Sequence, residues 1–432
     1  MKISRLIING LFGLYDYDID FSHQGEYFTV LTSPNGYGKT TLLRIINSLH
    51  VRRLYFLYTL KFTHILFLFD DKSQLEAKEM DFAEGRAEDS DTRKNIRRGL
   101  SLIWSANGEE TCRFDYRPEL IEPVKRSTVR KVAAIRHYPS EVYEENEEFF
   151  VGGDGGEALN TELAQTLKQE QFLLQLATIQ TDFIGANRIY ATIRRDRSSR
   201  MNRELPVLQV VNELREMLSA RVFGFQNNFQ RLDSKLIEML LGGKGQQISE
   251  AEYNARAGKL TIVMDELTSY GLTNRQTMPE YQADNARVLD VYLQQMEEKL
   301  RYYDQLLPLV RLFNKNIQQK SFANKTIKLS PQHGLRIESD NGDILSADML
   351  STGEQNQIVL LYDLIFKTPK GSILLIDEPE SSLHVAWQND FVSDMQTIAK
   401  SKGLQIVVAT HSPIIVSNTP EEKVFDLFYL QK

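Results

Sequence analysis

Four groups of residues carry types and spacings that could do chemistry. The first is SPNGYGKTT, Ser33 to Thr41. Backbone N–H groups in such a glycine-rich turn can wrap a phosphate, and the helix N-terminus that follows adds positive potential. Lys39 would reach the β- and γ-oxygens of a polyphosphate and the Thr40 hydroxyl would bind Mg²⁺. Asn35, Gly36, Gly38 and Thr41 complete the cradle, while Ser33 stands where the usual pattern has its first glycine. The second group is the carboxylate pair Asp377 and Glu378, which closes the apolar run SILLIDEPE. Asp377 would hold the Mg²⁺ hydration shell and Glu378 would polarise an attacking water. The third is His411, at the end of QIVVATHSP, whose imidazole can contact a terminal phosphate. The fourth is LSTGEQ, which puts Ser351, Thr352, Gly353 and Glu354 at the start of an amphipathic segment and offers a second anion site.

Each group needs an element to aim it. The apolar run YFTVLTS before the loop and TLLRIINSL after it read as strand and helix. SILLIDEPE and QIVVATHSP are short apolar runs of the kind that form buried parallel strands, with the polar residues at their C-terminal ends. Upstream, KISRLIINGLFGLYDYDIDF reads as two short strands around Gly10 and Gly13, and ILFLF as a further buried strand. LSLIWSANGEETCRFDYR alternates on both sides of Asn107-Gly108, a strong hairpin signal, so an antiparallel subdomain is expected here. GGDGG at 152–156 marks a break, and 161–179 has helical periodicity.

From Leu208 the texture changes. Val211, Leu218, Phe225, Leu232 and Met239 recur every seventh residue, with Leu214, Val222, Phe229 and Leu236 between them. Ser249 and Glu252 form a capping box for a second helix. In a third, Leu289, Met296, Tyr303 and Val310 alternate with Leu293, Leu300, Leu307 and Ile317, and Pro308 should kink or split it. The stripes fit either a helical subdomain core or an extended coiled-coil-like arm. Residues 325–345 then read as strand, turn and strand with Asn341-Gly342 at the corner.

Bulk properties set limits. A chain of 432 residues, 42% hydrophobic and 25% charged, has ordinary globular composition with room for two or three units. Its single cysteine, Cys112, excludes a disulfide framework or a cysteine zinc site within one chain. MKISRLIING lacks a signal-peptide core, and the most apolar stretch, 51–69, is interrupted by Arg52, Arg53, Lys61 and His64, so a cytoplasmic protein without a membrane span is expected. A net charge of −7 argues against general coating of nucleic acid.

Phosphate loop, LSTGEQ, LLIDEPE and ATHS, in that order, resemble the ABC-type ATPase head. The resemblance rests on residues 1–60 and 325–420 and implies an α/β P-loop NTPase fold, ATP and Mg²⁺ as ligands, and ATP hydrolysis. Lys39 and Asp377 lie 338 positions apart, so the helical stretch interrupts the ATPase fold, as in the SMC and RecF-like branch. PESSLH, with His384 where transporter ATPases usually carry aspartate, and DFIGANRIY around Arg188 are similar to the RecF and OLD branch. Ser382 and Leu383 fall where that branch has its subunit-crossing loop, and Gln180 is the candidate for its glutamine loop. The expected layout is an ATPase head with β subdomain over 1–203, a helical insertion over 204–322, and the rest of the head over 323–432. The implied mechanism is a homodimer of heads in which ATP on one subunit's phosphate loop is capped by Ser351 and Gly353 of the other.

The sequence ends 21 residues after His411, too few for the TOPRIM nuclease domain of OLD proteins. The chain therefore most resembles the stand-alone AriA-type ATPase subunits of PARIS anti-phage systems. That resemblance implies an oligomer that holds a separate TOPRIM effector and responds to a phage trigger protein, with an acidic DNA mimic as one candidate. The alternative is a RecF- or SMC-like ATPase of DNA repair or DNA clamping. Arg188, Arg194, Arg195, Arg197, Arg200 and Arg203 form either a solvated connector or a basic face for DNA or such a mimic.

Overall fold

The computed structural model describes residues 1–22, 28–50, 53–84, 95–116, 171–185, 193–195, 201–203, 205–242, 245–320, 322, 324–383 and 385–430. They fall into two units, Met1–Ala186 with Pro369–Ser381 and Gln388–Lys432, and Asn187–Thr368 with Ser382–Trp387.

In the first unit, β1 (Ile3–Leu11) and β2 (Tyr15–Asp20) pair antiparallel around Gly10 and Gly13, which sit at φ 68° and 72°. With β4 (His64–Phe69), β5 (Ser73–Glu84), β6 (Asn95–Ala106) and β7 (Glu109–Tyr116) they form an antiparallel sheet of order β2-β1-β4-β5-β6-β7. Asn107 and Gly108 turn β6 into β7 with φ 54° and 84°. Two left-handed residues in succession match the twist of a tight hairpin, so this pair suits the corner.

The second sheet of the unit is wholly parallel. It consists of β3 (Phe28–Thr32), β8 (Thr181–Ile184), β14 (Ile373–Asp377), β15 (Gln405–Ala409) and β16 (Val424–Asp426), in the order β16-β3-β15-β14-β8. Every residue of β14 and β15 is buried, as strands covered on both faces require. Helix α1 (Lys39–Asn47) follows β3, and its Leu42, Leu43, Ile45 and Ile46 are fully buried. At about 1.5–3 kcal/mol per buried aliphatic side chain, this docking stabilises a nine-residue helix that would be marginal alone. One core joins Ile3, Leu6 and Ile8 of β1, the α1 residues, Trp104, Leu375 and Val407. The Gln405 amide ties the sheets by accepting from Ile3 N and donating to Ile3 O, both at 2.8 Å. A short helix α2 (Tyr55–Thr59) precedes β4.

In the second unit, β9 (Ile193–Arg195) and β10 (Met201–Arg203) pair antiparallel. Four helices follow: α3 (Pro206–Leu241), α4 (Glu250–Ser269), α5 (Ala286–Leu300) and α6 (Leu307–Gln319). Ser249 caps α4 by accepting from Glu252 N. Pro308 lies in the first turn of α6 and a 3₁₀ turn separates α6 from α5, so the third periodic segment is split as its proline requires. Leu214, Leu218, Phe225 and Leu232 of the α3 stripe are buried, and so are all eight stripe residues from Leu289 to Ile317. Helix α3 packs on α5, on the strand Gly334–Ser339 and on the helix Thr352–Tyr362, so its stripe serves a local core.

Strands β11 (Lys325–Ser330), β12 (Gly334–Ser339) and β13 (Ile344–Leu345) form an antiparallel sheet, with Gly342 at φ 87° in the corner. Helix α7 (Thr352–Tyr362) comes next and runs into a π-helical turn at Asp363–Lys367. Helices α8 (Val385–Lys402) and α9 (Pro413–Ser417) follow β14 and β15. The fold is α/β, with a parallel sheet feeding the glycine-rich loop, an antiparallel β subdomain and a helical unit. No helix among the described residues is long and apolar enough to cross a membrane.

Candidate nucleotide site

Ligands of open parallel sheets bind beyond the C-terminal strand ends, and here those ends carry the predicted residues. Leu31 of β3 and Asp377 of β14 both pair with Ala409 of β15, so the loop after β3, Asp377-Glu378 and Thr410-His411 share one edge. Gln180 sits before β8, at the opposite end of the same parallel sheet, and accepts from Ile373 N through its carbonyl. It is therefore not placed to sense a phosphate, which corrects that expectation.

The loop is shaped around its lysine. Lys39 is buried, and its ammonium donates to Ser33 O at 2.8 Å, to Ser33 Oγ at 3.2 Å and to Pro34 O at 3.3 Å. Burial lowers its pKa, and Glu378, Asp377, Glu380 and Asp426 oppose that shift. Gly36 and Gly38 sit at φ 92° and 79°. A Cβ would meet nothing within 4 Å at Gly36, and at Gly38 only Leu11 and Thr41 at van der Waals distance. Glycine is needed there for backbone conformation, not for space. Asn35 is exposed at the loop tip, and Thr41 lies in the first turn of α1.

Thr40 Oγ1 donates to Asp377 Oδ1 at 3.2 Å. Burial raises the Asp377 pKa, Glu378 and Glu380 add to the rise, and the Thr40 hydrogen bond and Arg44 oppose it. A hydroxyl and a desolvated carboxylate side by side are hard oxygen donors that fit Mg²⁺. Thr40 and Asp377 would hold that ion, which supplies positive charge to phosphate oxygens when bound.

Glu378 adopts φ 44°, a conformation that costs a non-glycine residue about 1–3 kcal/mol. Its neighbours fix it there. Glu378 N donates to Ala409 O at 2.8 Å, and Glu378 O accepts from Ser381 N at 3.1 Å and Ser381 Oγ at 2.8 Å. His411 is exposed just past β15, and its backbone N donates to Glu380 Oε1 at 2.5 Å. The other Glu380 oxygen accepts from Thr410 Oγ1 at 2.7 Å. Ser412 N donates to Thr410 Oγ1 at 2.9 Å, and Ser412 Oγ donates to Gln388 Oε1 at 2.6 Å. Sequence reasoning missed Glu380, Thr410, Ser412 and Gln388. Only the spacing of Glu380, two residues past Glu378, hinted at a third carboxylate.

In the second unit, Ser351 is the N-cap of α7 within a complete capping box. Glu354 Oε2 accepts from Ser351 N at 2.8 Å and from Ser351 Oγ at 2.9 Å, while Oε1 accepts from Lys325 Nζ at 3.0 Å. Burial pushes the Glu354 pKa up, but Ser351 and Lys325 outweigh it and hold the carboxyl below its ordinary value. Ser351 and Thr352 are exposed, and a Cβ on Gly353 would meet only Trp387, at 3.8 Å. The helix start thus presents hydroxyls and bare backbone, whereas the Glu354 carboxylate is engaged within the chain.

Leu383 is buried after the 3₁₀ turn Pro379–Ser382, and His384 lies outside the described residues. So do the 152–156 break and Arg188, Arg197 and Arg200; Arg194 and Arg195 belong to β9 and Arg203 to β10. No cluster of three or more metal-ligating side chains occurs among the described residues.

The structure is similar to solved Smc head domains. The head domain with an extended coiled coil from Pyrococcus furiosus, bound to the C-terminal domain of ScpA, is 13% identical over 97% of this chain and 92% of that one, with a TM-score of 0.39. The SMC head domain from Thermotoga maritima is 11% identical over 97% and 92%, with a TM-score of 0.33. No curated protein matches the sequence. Residues 1–416 match the AAA ATPase domain family (AAA_15), and the chain belongs to that family.

Proposed function

We propose that the chain binds and hydrolyses ATP as the sensor and scaffold subunit of an anti-phage complex that controls a separate TOPRIM-type nuclease. The observation that carries the ATPase reading is the convergence of Lys39, Thr40, Asp377, Glu378 and His411 at one edge of the parallel sheet. Lys39 would leave the Ser33 and Pro34 carbonyls for the β- and γ-oxygens, Thr40 and Asp377 would hold Mg²⁺, and Glu378 would accept a proton from the water whose oxygen bonds to the γ-phosphorus as the bond to the β,γ-bridging oxygen breaks, releasing ADP and phosphate. His411, at the same sheet edge, is assigned the contact to the departing phosphate in this reading.

Ser351 and Gly353 act in this reading on the nucleotide of a second copy, so the assembly is a homo-oligomer built from head–head dimers, with residues 204–322 as a helical insertion in the head. Turning a mostly open population into a mostly closed one requires about 5.5 kcal/mol in favour of the closed state. Two to four charge-assisted hydrogen bonds at about 1.5–3 kcal/mol each supply it. The defence assignment, with a cytoplasmic AriA-like subunit, a TOPRIM partner, a phage protein as trigger and DNA as a further candidate ligand, rests on the resemblance to such subunits in size and inserted helices; the motif order and the PESSLH segment support the ATPase class and its RecF and OLD branch.

Two measurements test this. Purified Glu378→Gln should bind ATP like the wild type and lose about 10²-fold or more in turnover, because general-base catalysis contributes that much; unchanged turnover removes Glu378 from the reaction. Co-expression with the neighbouring genes should yield a stable complex with a TOPRIM protein. Its absence beside a repair or replication gene favours the RecF- and SMC-like reading instead.

A further inference from the structure

Three backbone segments carry the reactive groups at the sheet edge, and one side chain outside the expected set links two of them. Glu380 follows Glu378 by two residues in the turn after β14, yet both its oxygens are bonded beyond β15. Oε1 accepts from the backbone N–H of His411 at 2.5 Å, and Oε2 accepts from the Thr410 hydroxyl at 2.7 Å. Thr410 is fully buried, its oxygen accepts from Ser412 N, and its own N donates to Leu31 O at 3.0 Å, the strand that feeds the phosphate loop. In return Glu378 N donates to Ala409 O at 2.8 Å. The β14 and β15 ends are therefore stitched twice, by a backbone bond before Glu380 and by its carboxylate after it. A glutamate does this well because a carboxylate has two acceptor oxygens for two fixed donors.

We propose that Glu380 is a positioning residue for ATP hydrolysis: it fixes His411 relative to Glu378 by clamping the strand end that carries the histidine. The proposal rests on the ATPase reading of this site. Glu380 touches neither substrate nor metal in this assignment, so its loss should act on the transition state more than on ATP affinity. Displacing a reacting group by about an ångström costs up to about 10²-fold.

The test is steady-state hydrolysis by the full chain with Glu380→Ala, Glu380→Gln and Thr410→Val, alongside Lys39→Ala and Glu378→Gln. Glu380→Ala should lower kcat by about 10- to 100-fold with KM for ATP nearly unchanged. Glu380→Gln should recover most of the loss, since its amide oxygen still accepts from His411 N and its NH₂ can donate to Thr410 Oγ1. Thr410→Val removes one arm, and with it the acceptor of Ser412 N, without changing side-chain shape and should cost less than about tenfold in kcat. If Glu380→Ala folds poorly, the Gln and Val variants still decide. Wild-type kcat in both Ala and Val variants, or a rise in KM alone, overturns the clamp. No recovery with Gln overturns it as well. Hydrolysis lost with Glu378→Gln but retained with Glu380→Ala sinks this proposal alone, whereas a wild-type chain that neither binds nor hydrolyses ATP sinks the ATPase reading with it.

Discussion

Lys325 and Glu354 form an ion pair of 3.0 Å between the first residue of β11 and the third helical residue of α7. Glu354 is almost wholly buried and Lys325 mostly so. The pair neutralises the carboxylate that accepts from Ser351 N and Ser351 Oγ.

Lys325→Met should leave that carboxylate buried without its cation and cost about 3 kcal/mol of stability, the low end for a broken buried pair. Because the Glu354 pKa is held down in the fold, its contribution to stability is present above its unfolded pKa and is lost as pH falls through the lower folded value. In the variant that acid limb should move to higher pH. Urea midpoints across the acid range check both effects, and adding Glu354→Gln should restore part of the loss.

Asp377 gives a pH effect of opposite sign. Its raised pKa means the fold favours the neutral acid, so its contribution to stability is present below the unfolded pKa and is lost as pH rises through the folded one. Mg²⁺ needs the ionised form. Magnesium-dependent ATP affinity should therefore start to fall on acidification above the ordinary carboxylate range, and titration calorimetry over pH should show Asp377→Asn without that limb.

Lys39→Ala removes the donor to Ser33 O, Ser33 Oγ and Pro34 O as well as the one expected to reach phosphate. A charge-assisted bond of about 1.5–3 kcal/mol translates into ATP binding about 10- to 150-fold weaker. Equilibrium binding of a fluorescent ATP analogue measures this, and unchanged affinity would remove the lysine from the site.

Gly334 and Gly342 separate conformational from steric cost. Both have positive φ, but a Cβ on Gly334 would run into the Val211 carbonyl of α3, whereas one on Gly342 meets open space. Gly342→Ala should cost about 1–2 kcal/mol. Gly334→Ala should cost about 3 kcal/mol or more, because α3 must also shift. Chemical denaturation of the two variants gives the comparison.

Local chemistry was legible in the sequence. Asn107-Gly108 marked its hairpin, Pro308 split its helix, and the apolar runs ILLI and IVVA became buried parallel strands ending in Asp377 and just before Thr410-His411. What stayed hidden depends on which strand lies beside which. Glu380 gains its partners only because β14 and β15 are neighbours, Lys325 finds Glu354 across 29 residues, and Gln180 proved to be at the wrong end of a strand once the direction of β8 was known. The α3 stripe fixed a helix but not its partners, since heptads specify a buried face and leave open what buries it.

The order of the parallel sheet also bears on how the protein is made. Leu31, just before the phosphate loop, is flanked by Ala409 and Phe425, so the strand that carries the loop is synthesised long before either neighbour exists. At about 5–20 residues per second the ribosome needs roughly 20–80 s to close that gap. Until then FTVLT, a mostly apolar segment buried in the finished sheet, has no strand partner, the kind of exposure that makes late-pairing parallel strands prone to aggregation. Asp377, at the end of β14, and Glu378 after it are likewise untranslated at that stage.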